Sequence, residues 1–350
     1  MATDFLSLLR SLAPDLTEEL GRRALILERI SALQPVGRRQ LAQRLNLPER
    51  EVRNTALLLD HLGYVELTPS GMRLSEKAGE VLDAAREFSK ALSGLTEMEK
   101  ALSRLLPVDR VVIVPGDADA DEQVLLDAGR ACAARLRGLL QNGSTLAVTG
   151  GRSVAAVARS MQRSAAMNVM VVPARGSVGR TVELQANTLA EELAGRLGGH
   201  YRLIHLPDHL DPQAMQEMQK LPEVREAMEL LQRADVVLHG ISRAPETMRE
   251  RGLSPAVQSR LRAGGARGEC FGAYFDLEGR CLLETSSIGV NLGGLRASCR
   301  MVAVAVGASK AEAIVSVLRH RPHALLATDE GAARRMIALA RGDGAGSSFS

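Results

Sequence analysis

The sequence predicts an α/β protein in two parts: an N-terminal winged helix-turn-helix head and a C-terminal doubly wound, largely parallel sheet flanked by helices. Three observations carry this. A chain of 350 residues exceeds one ordinary core and suits a small module joined to a larger domain. The first 90 residues read as short amphipathic helices closed by a hairpin. From about residue 108, short Val/Ile-rich runs alternate with helical periodicity, a change of layer architecture. The resulting boundaries are 1–90 for the head, 91–107 for a helical linker, 108–341 for the larger domain and 342–350 for a disordered tail, GDGAGSSFS.

Composition narrows the function classes. Lys and Arg number 44 against 41 Asp and Glu, a net charge of +3, so any nucleic-acid footprint is a local patch. Aromatic residues make up 2% of the chain, which argues against base stacking on an aromatic platform. Cys132, Cys270, Cys281 and Cys299 form no CxxC pair and have no His at zinc-ligand spacing, so they read as reduced, buried thiols, with no metal site or cofactor implied. The N-terminal apolar stretch carries acids, and no run of about 18 apolar residues occurs, which predicts a cytoplasmic protein without a membrane partner.

Within the head, helices are expected over Glu18–Leu33, Arg38–Leu45 and Glu49–Leu62, broken by QPVG and NLP. Leu41, Ala42 and Leu45 face inward on the second, and Val52, Ala56, Leu59 and Leu62 on the third, at helix-turn-helix spacing. Glu49, Arg50, Arg53 and Asn54 then fall on the outer side of the third helix, where a recognition helix meets base edges: Arg reads guanine and Asn adenine. Arg38 and Arg39 open the second helix, within reach of phosphate. YVELTPSGMRLS supplies two short strands around a Pro-Ser-Gly turn, a candidate wing. A three-helix packing module with a solvated arginine face fits the same pattern; the five arginines between Arg38 and Arg53, against Glu49 and Glu51, favour double-stranded DNA as partner. Following the wing, Leu92, Leu95, Met98, Leu102 and Leu105 form one helical stripe, either packed on its own domain or a dimer seam, with Gly94 and Pro107 limiting its length.

In the larger domain, strands are expected at Val111–Val114, Thr145–Val148, Val169–Val172, Asp235–Gly240 and Met301–Gly307, nearly all apolar, as in strands buried on both faces. The strand TLAV runs into Thr149-Gly150-Gly151-Arg152-Ser153 and then a helix. Glycines there let the backbone approach an anion, the helix start offers amides and a positive dipole end, and Thr149 and Ser153 offer hydroxyls. A Gly-Gly turn is also a common structural device, and neither a GxxxxGK[ST] nor a GxGxxG pattern is present. Arg175 follows the third strand, where ligands of open α/β sheets collect, and its guanidinium suits a second phosphate. Lys310 opens a helix after the last strong strand and serves either a site or helix solvation. Glu269 and Gln185 suit sugar hydroxyls, or equally surface or capping roles.

The strings VTGGRSVAAVA, VVPARGSVG, QANTLAEELA, HYRLIHLPD, ASKAEAI and TDEGAA, in that order between roughly residues 90 and 340, resemble the sorbitol-operon (SorC) type of bacterial transcription regulators. The resemblance implies an effector domain related to sugar-phosphate isomerases and deaminases, a phosphorylated sugar as ligand with fructose 1,6-bisphosphate expected, and a DNA-bound homo-oligomer, dimer or tetramer, acting as repressor. Carried over by position, Thr149, Gly150, Gly151 and Arg152 fall on the family's phosphate loop, Arg175 and Lys310 on its basic phosphate contacts, and Gln185 and Glu269 on its sugar contacts; Arg251 is a weaker candidate. The family loop continues with two threonines where this chain has Arg152 and Ser153, which leaves the side-chain contacts of the loop open.

The same implied fold supports an alternative, a sugar-phosphate isomerase or deaminase with an appended DNA-binding head. Such an enzyme needs a positioned acid and base. His205, Asp208, His239, Asp329 and Glu330 are present without catalytic spacing, so no catalytic residue is assigned. A pure interaction module would leave the arginine face and the anion-site candidates without a role.

Overall fold

The computed structural model describes residues 6, 8–9, 11–45, 47–163, 167–175, 181–203, 212–285, 289 and 292–342. The chain divides into two units, Met1–Glu97 and Met98–Ser350. The expected disordered tail lies outside the described residues apart from Gly342, as do His205 and Asp208.

In the first unit, helices α1 (Pro14–Leu33), α2 (Arg38–Leu45) and α3 (Glu49–His61) precede strands β1 (Val65–Thr68) and β2 (Gly71–Leu74) and helix α4 (Gly79–Ser93). Pro14 starts α1 where a missing N–H costs nothing. Ile26, Leu27 and Ile30 of α1 close over Leu41 and Ala42 of α2, Val52, Ala56 and Leu59 of α3, and Val65 and Met72 of the hairpin. At Gly71, φ is +129° and a Cβ would lie 2.9 Å from the Val36 backbone, so only glycine fits where Val36 and Met72 exchange two hydrogen bonds.

The stripe from Leu92 to Leu105 does not form one continuous helix. Gly94, at φ +74°, ends α4 in the left-handed conformation, and α5 (Leu95–Leu105) starts afresh. Within it Leu95 and Leu102 are wholly buried, Leu92 and Met98 are half-buried, and Leu105 is exposed.

The second unit alternates β3 (Val111–Val114), α6 (Glu122–Leu139), β4 (Thr145–Val148), α7 (Arg152–Ser160), β5 (Met170–Pro173), α8 (Ala186–Leu197) and β6 (His200–Tyr201). Helices α9 (Pro212–Gln219) and α10 (Pro222–Gln232) lead to β7 (Val236–Gly240), β8 (Ser242–Arg243), α11 (Ala244–Glu250) and α12 (Pro255–Ala263). Strands β9 (Gly268–Cys270), β10 (Ala273–Phe275) and β11 (Cys281–Glu284) precede β12 (Arg300–Val304), α13 (Ala311–His320), β13 (Leu325–Asp329) and α14 (Glu330–Arg341). Seven strands form one parallel sheet in the order β3-β13-β12-β7-β4-β5-β6. Val112, Leu146, Val148, Val171, Val236, Leu238 and Val302 pack on α6, α7 and α8 from one face. The alternate residues Ile113, Ala147, Val172, Val237 and Ala303 are just as buried on the other, the condition that continuous aliphatic strands satisfy.

Two features were not read from the sequence. Strand β13 ends in Thr328 and Asp329, which break the aliphatic pattern yet are wholly buried. Strands β11-β10-β9-β8 form a separate antiparallel sheet, whose two- to four-residue lengths and interspersed glycines give no period-2 signal, and whose Cys281 is exposed rather than buried as expected of the four thiols. No described helix is long and apolar enough to cross a membrane.

Helices α6 and α7 approach closely at Gly129, where a Cβ would lie 2.6 Å from the Ala156 carbonyl carbon. We expect Gly129→Val to destabilise the second unit by about 1–3 kcal/mol through overpacking, measured by denaturant unfolding, whereas Gly138→Ala, at a position with nothing within 4 Å, leaves stability equal or higher.

Candidate functional site

The strand order reverses between β4 and β7. From β4 the chain moves outward to β5 and β6, and from β7 the other way through β12 and β13. Such a reversal opens a crevice beyond the carboxyl ends of the two strands. Thr149 joins its walls: its N–H donates to the Leu238 carbonyl (3.0 Å), and its Oγ1 accepts from the Gly240 N–H (3.3 Å). A cavity of about 950 Å³ opens there, lined by Thr149, Gly150, Gly151, Arg152, Ser153, Arg175, Arg251, Glu269 and Lys310. Gln185 is the one expected contact not on its wall; half-buried, it sits between the wall residues Leu184 and Ala186.

The two glycines of the loop do different things. A Cβ on Gly150 would lie 2.5 Å from the Leu184 carbonyl oxygen, so chain packing by itself requires glycine at this point of the cavity wall. Gly151 holds φ +111° as the N-cap of α7, with open space where a Cβ would be. Its own N–H donates to the Leu184 carbonyl (2.8 Å), and the first intrahelical bond runs from the Ala155 N–H to its carbonyl. The amides of Arg152, Ser153 and Val154, in the first turn of α7 beside the cavity, have no acceptor within the helix.

Two groups of cations approach the cavity. Arg175 and Arg251 both close on one buried carboxylate oxygen, Glu269 Oε1, at 3.6 and 3.4 Å. That oxygen also accepts from the Gly272 N–H (2.7 Å), so Oε2 carries none of these contacts. Gly272, at φ +81°, is packed so tightly that a Cβ would lie 2.6 Å from the Arg175 guanidinium. The second group is Arg152, exposed at the start of α7, with half-buried Lys310. Burial first, and the Arg152 charge after it, hold the Lys310 ammonium below the ordinary lysine range.

The loop carrying Lys310 is fixed by three carboxylates, of which sequence reasoning had noted only Asp329, and that as a candidate acid without catalytic spacing. Asp119 accepts from the Ser309 N–H and hydroxyl (2.7 and 3.0 Å), Asp117 from the Ala308 N–H (3.2 Å), and Asp329 from the N–H groups of Gly307, Ala118 and Ala332. Asp119 also lines the cavity, as do Glu246 and Glu250, so the wall offers acceptors for hydroxyls beside its cations. Nothing in the spacing of these acids marked them, because the topology alone brings residues 117–119 beside 307–309.

The described residues among those considered for catalysis, Asp329, Glu330 and His239, have structural partners. Asp329 caps backbone amides, and Glu330 pairs with Arg334 (2.5 Å). His239 and His323 are buried with their Nε2 atoms 2.9 Å apart, and burial depresses them to about 4 and about 3.

In the first unit, Arg38, Arg39, Glu49, Arg50, Arg53 and Asn54 are all exposed, and the last three share the outer side of α3 with Leu57. Arg39 reaches Glu49 (3.4 Å), an exposed pair of little stabilising value that orients the guanidinium. A pair not anticipated, Arg22 with Glu51 (3.0 Å), ties α1 to the inner edge of α3.

Residues 90–338 match the sugar-binding domain family, and residues 20–88 match the CggR N-terminal DNA binding domain. The central glycolytic genes regulator of Priestia megaterium (strain DSM 319 / IMG 1521) is 36% identical over 331 residues, 94% of this chain and 96% of the relative. The regulator of the same name from Bacillus subtilis (strain 168) is 34% identical over 330 residues, 94% and 97% of the two chains. Among solved structures, an Enterococcus faecalis protein assigned to the SorC family of transcriptional regulators is 33% identical with a TM-score of 0.64, covering 69% of this chain and 99% of that one. Full-length sorbitol operon regulator SorC from Klebsiella pneumoniae, 20% identical, shares the fold with a TM-score of 0.65 over 87% and 94% of the chains.

The buried histidines predict an acid response. Unfolded imidazoles titrate near 6.5, so between there and about 4 the unfolded chain holds more protons than the folded one. Their contribution to stability is complete above 6.5 and falls as the pH drops through that window. Glu28 in the head, whose carboxyl burial raises to about 7, acts in the opposite sense. We therefore expect the loss of melting temperature between pH 7.5 and pH 5 to be larger in the parent than in His323→Asn, a comparison in which the Glu28 contribution cancels.

Proposed function

This chain belongs to the SorC-type family of DNA-binding transcription regulators with a sugar-binding domain, and on that premise we propose that it represses glycolytic genes and leaves its operator on binding fructose 1,6-bisphosphate. The observation that carries the reading is the pair of cation groups on one cavity wall at the strand-order reversal. One phosphate is bound by the first-turn amides of α7 with Arg152 and Lys310, and the other by Arg175 and Arg251. Glu269 Oε2 and Gln185 take sugar hydroxyls. A dianion arriving beside Lys310 relieves the repulsion between it and Arg152, so affinity is concentrated in a doubly phosphorylated ligand. The pattern is that of a sensor: its relatives are regulators, and its described candidate acids and bases serve structural bonds, which sets the isomerase or deaminase alternative aside.

At the other end of the chain, Arg50, Arg53 and Asn54 read base edges from α3, Arg38 and Arg39 hold the phosphates on either side, and Glu49 steers Arg39. Winged heads of this kind act in pairs on two half-sites, so the working species is a homo-oligomer, dimer or tetramer, acting in the cytoplasm. Effector binding shifts the population of operator-competent oligomers; a coupling of about 1–3 kcal/mol changes operator affinity roughly 5- to 150-fold.

Fructose 1,6-bisphosphate at 100 times its Kd is expected to stabilise the second unit by about 2.7 kcal/mol, read as a rise in melting temperature. Fructose 6-phosphate and inorganic phosphate should give less, and Arg175→Ala should abolish the rise. Equal responses to all three ligands would rule out the two-phosphate site. For the head, Arg50→Ala combined with Arg53→Ala should abolish specific operator binding, at about 1–3 kcal/mol per lost base contact, with the bisphosphate response intact; retained operator binding would remove α3 as the reading helix.

A further inference from the structure

Among the described residues, two other than glycine hold a positive φ, Asn168 and Phe271. Asparagine visits the left-handed region readily, whereas a phenylalanine there is strained, its Cβ crowding the following carbonyl oxygen. Phe271, at φ +53°, and Gly272, at φ +81°, are the central residues of the turn between β9 and β10, in which Cys270 pairs with Ala273. A two-residue hairpin turn with both φ angles positive favours Asn, Asp or Gly at its first central position. Local conformation therefore does not select phenylalanine here.

The turn keeps its conformation because Gly272 is gripped from both sides. Its N–H donates to Glu269 Oε1 (2.7 Å), and its carbonyl accepts from the Thr285 N–H (3.0 Å) and hydroxyl (3.1 Å). Phe271 is buried, and it is the one aromatic residue among the described residues of the cavity wall. Its ring rests against that of His239, with centroids 4.9 Å apart and planes inclined at 48°. The next residue, Gly240, donates its N–H to Thr149 Oγ1, at the start of the loop before α7. Phe271 thus joins the two cation groups of the cavity: Arg175 and Arg251, closed on Glu269, through its own turn, and the loop leading to Arg152 through His239. Strain that the surrounding structure over-determines, in the wall of a binding cavity, is the pattern of a residue held for its ligand.

We infer that Phe271 is a specificity residue of the effector site, its ring the floor on which the C–H face of the sugar lies between the two phosphates. The inference rests on reading the cavity as a sugar-phosphate site. Guanidinium, ammonium and helix amides recognise phosphate whatever carries it, and Glu269 and Gln185 recognise any hydroxyl. None of them recognises carbon. A sugar with its hydroxyls turned to Glu269 presents polarised C–H bonds on its face, and the negative face of an aromatic ring attracts these. An aliphatic side chain would cover the floor without that attraction, and the asparagine or glycine that the turn prefers would leave it open. The ligand class that explains the phenylalanine is a phosphorylated carbohydrate, in preference to inorganic phosphate.

The test uses full-length protein with two variants: Phe271→Leu, which keeps apolar bulk, and Phe271→Gly, which suits the φ of the turn, each checked for folding by thermal unfolding. In parent protein deuterated except at its phenylalanine rings, saturating the ring protons should transfer to the C–H protons of bound fructose 1,6-bisphosphate. The transfer should vanish in both variants. By calorimetric titration, Phe271→Leu should bind the bisphosphate roughly two- to twelvefold more weakly, and Phe271→Gly at least as much, with the affinity for inorganic phosphate unchanged. Absence of transfer in the parent would overturn the inference and needs no variant to show it. So would equal weakening of both ligands, which marks a ring that serves packing alone, or unchanged affinity for both. A parent that binds neither ligand would sink the sugar-phosphate reading itself, whereas a parent that binds the bisphosphate without contact to Phe271 leaves that reading standing and removes only the floor.

Discussion

Every neighbouring pair in the large sheet runs parallel, and the rest of the effector domain follows from that constraint. Parallel neighbours need a crossover at each step, so both faces of the sheet are covered and water reaches it only at the strand ends. Where the order turns back on itself, between β4 and β7, no crossover closes the gap, and the cavity forms. Thr149 spans this gap, so the residue that begins the loop after β4 also fixes the distance between the cavity walls. Lys310, Asp119 and Asp329 converge on the adjacent strand ends for the same reason: each follows or ends a strand whose carboxyl end points the same way.

Much of this was legible because aliphatic periodicity is strong where both faces are buried. Aliphatic runs at 111–114, 145–148 and 236–238 announced strands of the large sheet, and the turn residues around Pro35 and Pro48 bracketed the head helices almost to the residue. What escaped did so for physical reasons. β13 ends in a buried Asp329 whose partners include backbone amides 22 and 211 residues away, a satisfaction that local pattern does not carry. The sheet of β8 to β11 is built from strands too short to show alternation. Gly150 and Gly151 look equivalent on paper, yet one is required by the passing backbone at Leu184 and the other by its own φ.

Site residues were legible to the extent that their position relative to a strand end was. Arg175 and Lys310 follow aliphatic runs and were found by that rule. Arg251 and Glu269 lie on a helix end and on the minor sheet, where their pairing depends on how the two sheets meet. The stripe around Leu95 was visible as periodicity, but Gly94 turned out to end one helix and begin another, and two of its leucines, Leu95 and Leu102, are core. Leu16 and Leu20 of α1, one turn apart, are exposed. Periodicity reports an apolar face without saying what covers it.

The histidine pair beneath the cavity has one further property. His239 Nδ1 faces the Gly240 carbonyl at 3.0 Å, His323 Nδ1 faces the Arg321 carbonyl at 2.8 Å, and the two Nε2 atoms face each other. These three contacts each need a hydrogen, and two neutral imidazoles supply two. Either of two tautomeric arrangements completes the central contact by leaving one carbonyl facing a bare nitrogen, at Gly240 in one case and at Arg321 in the other. Gly240 belongs to the cavity wall, and Phe271, whose ring lies 4.9 Å from that of His239, belongs to it as well. The two arrangements exchange the tautomers of both rings, so the choice between them decides whether the carbonyl at the end of β7 or that of Arg321 keeps its hydrogen.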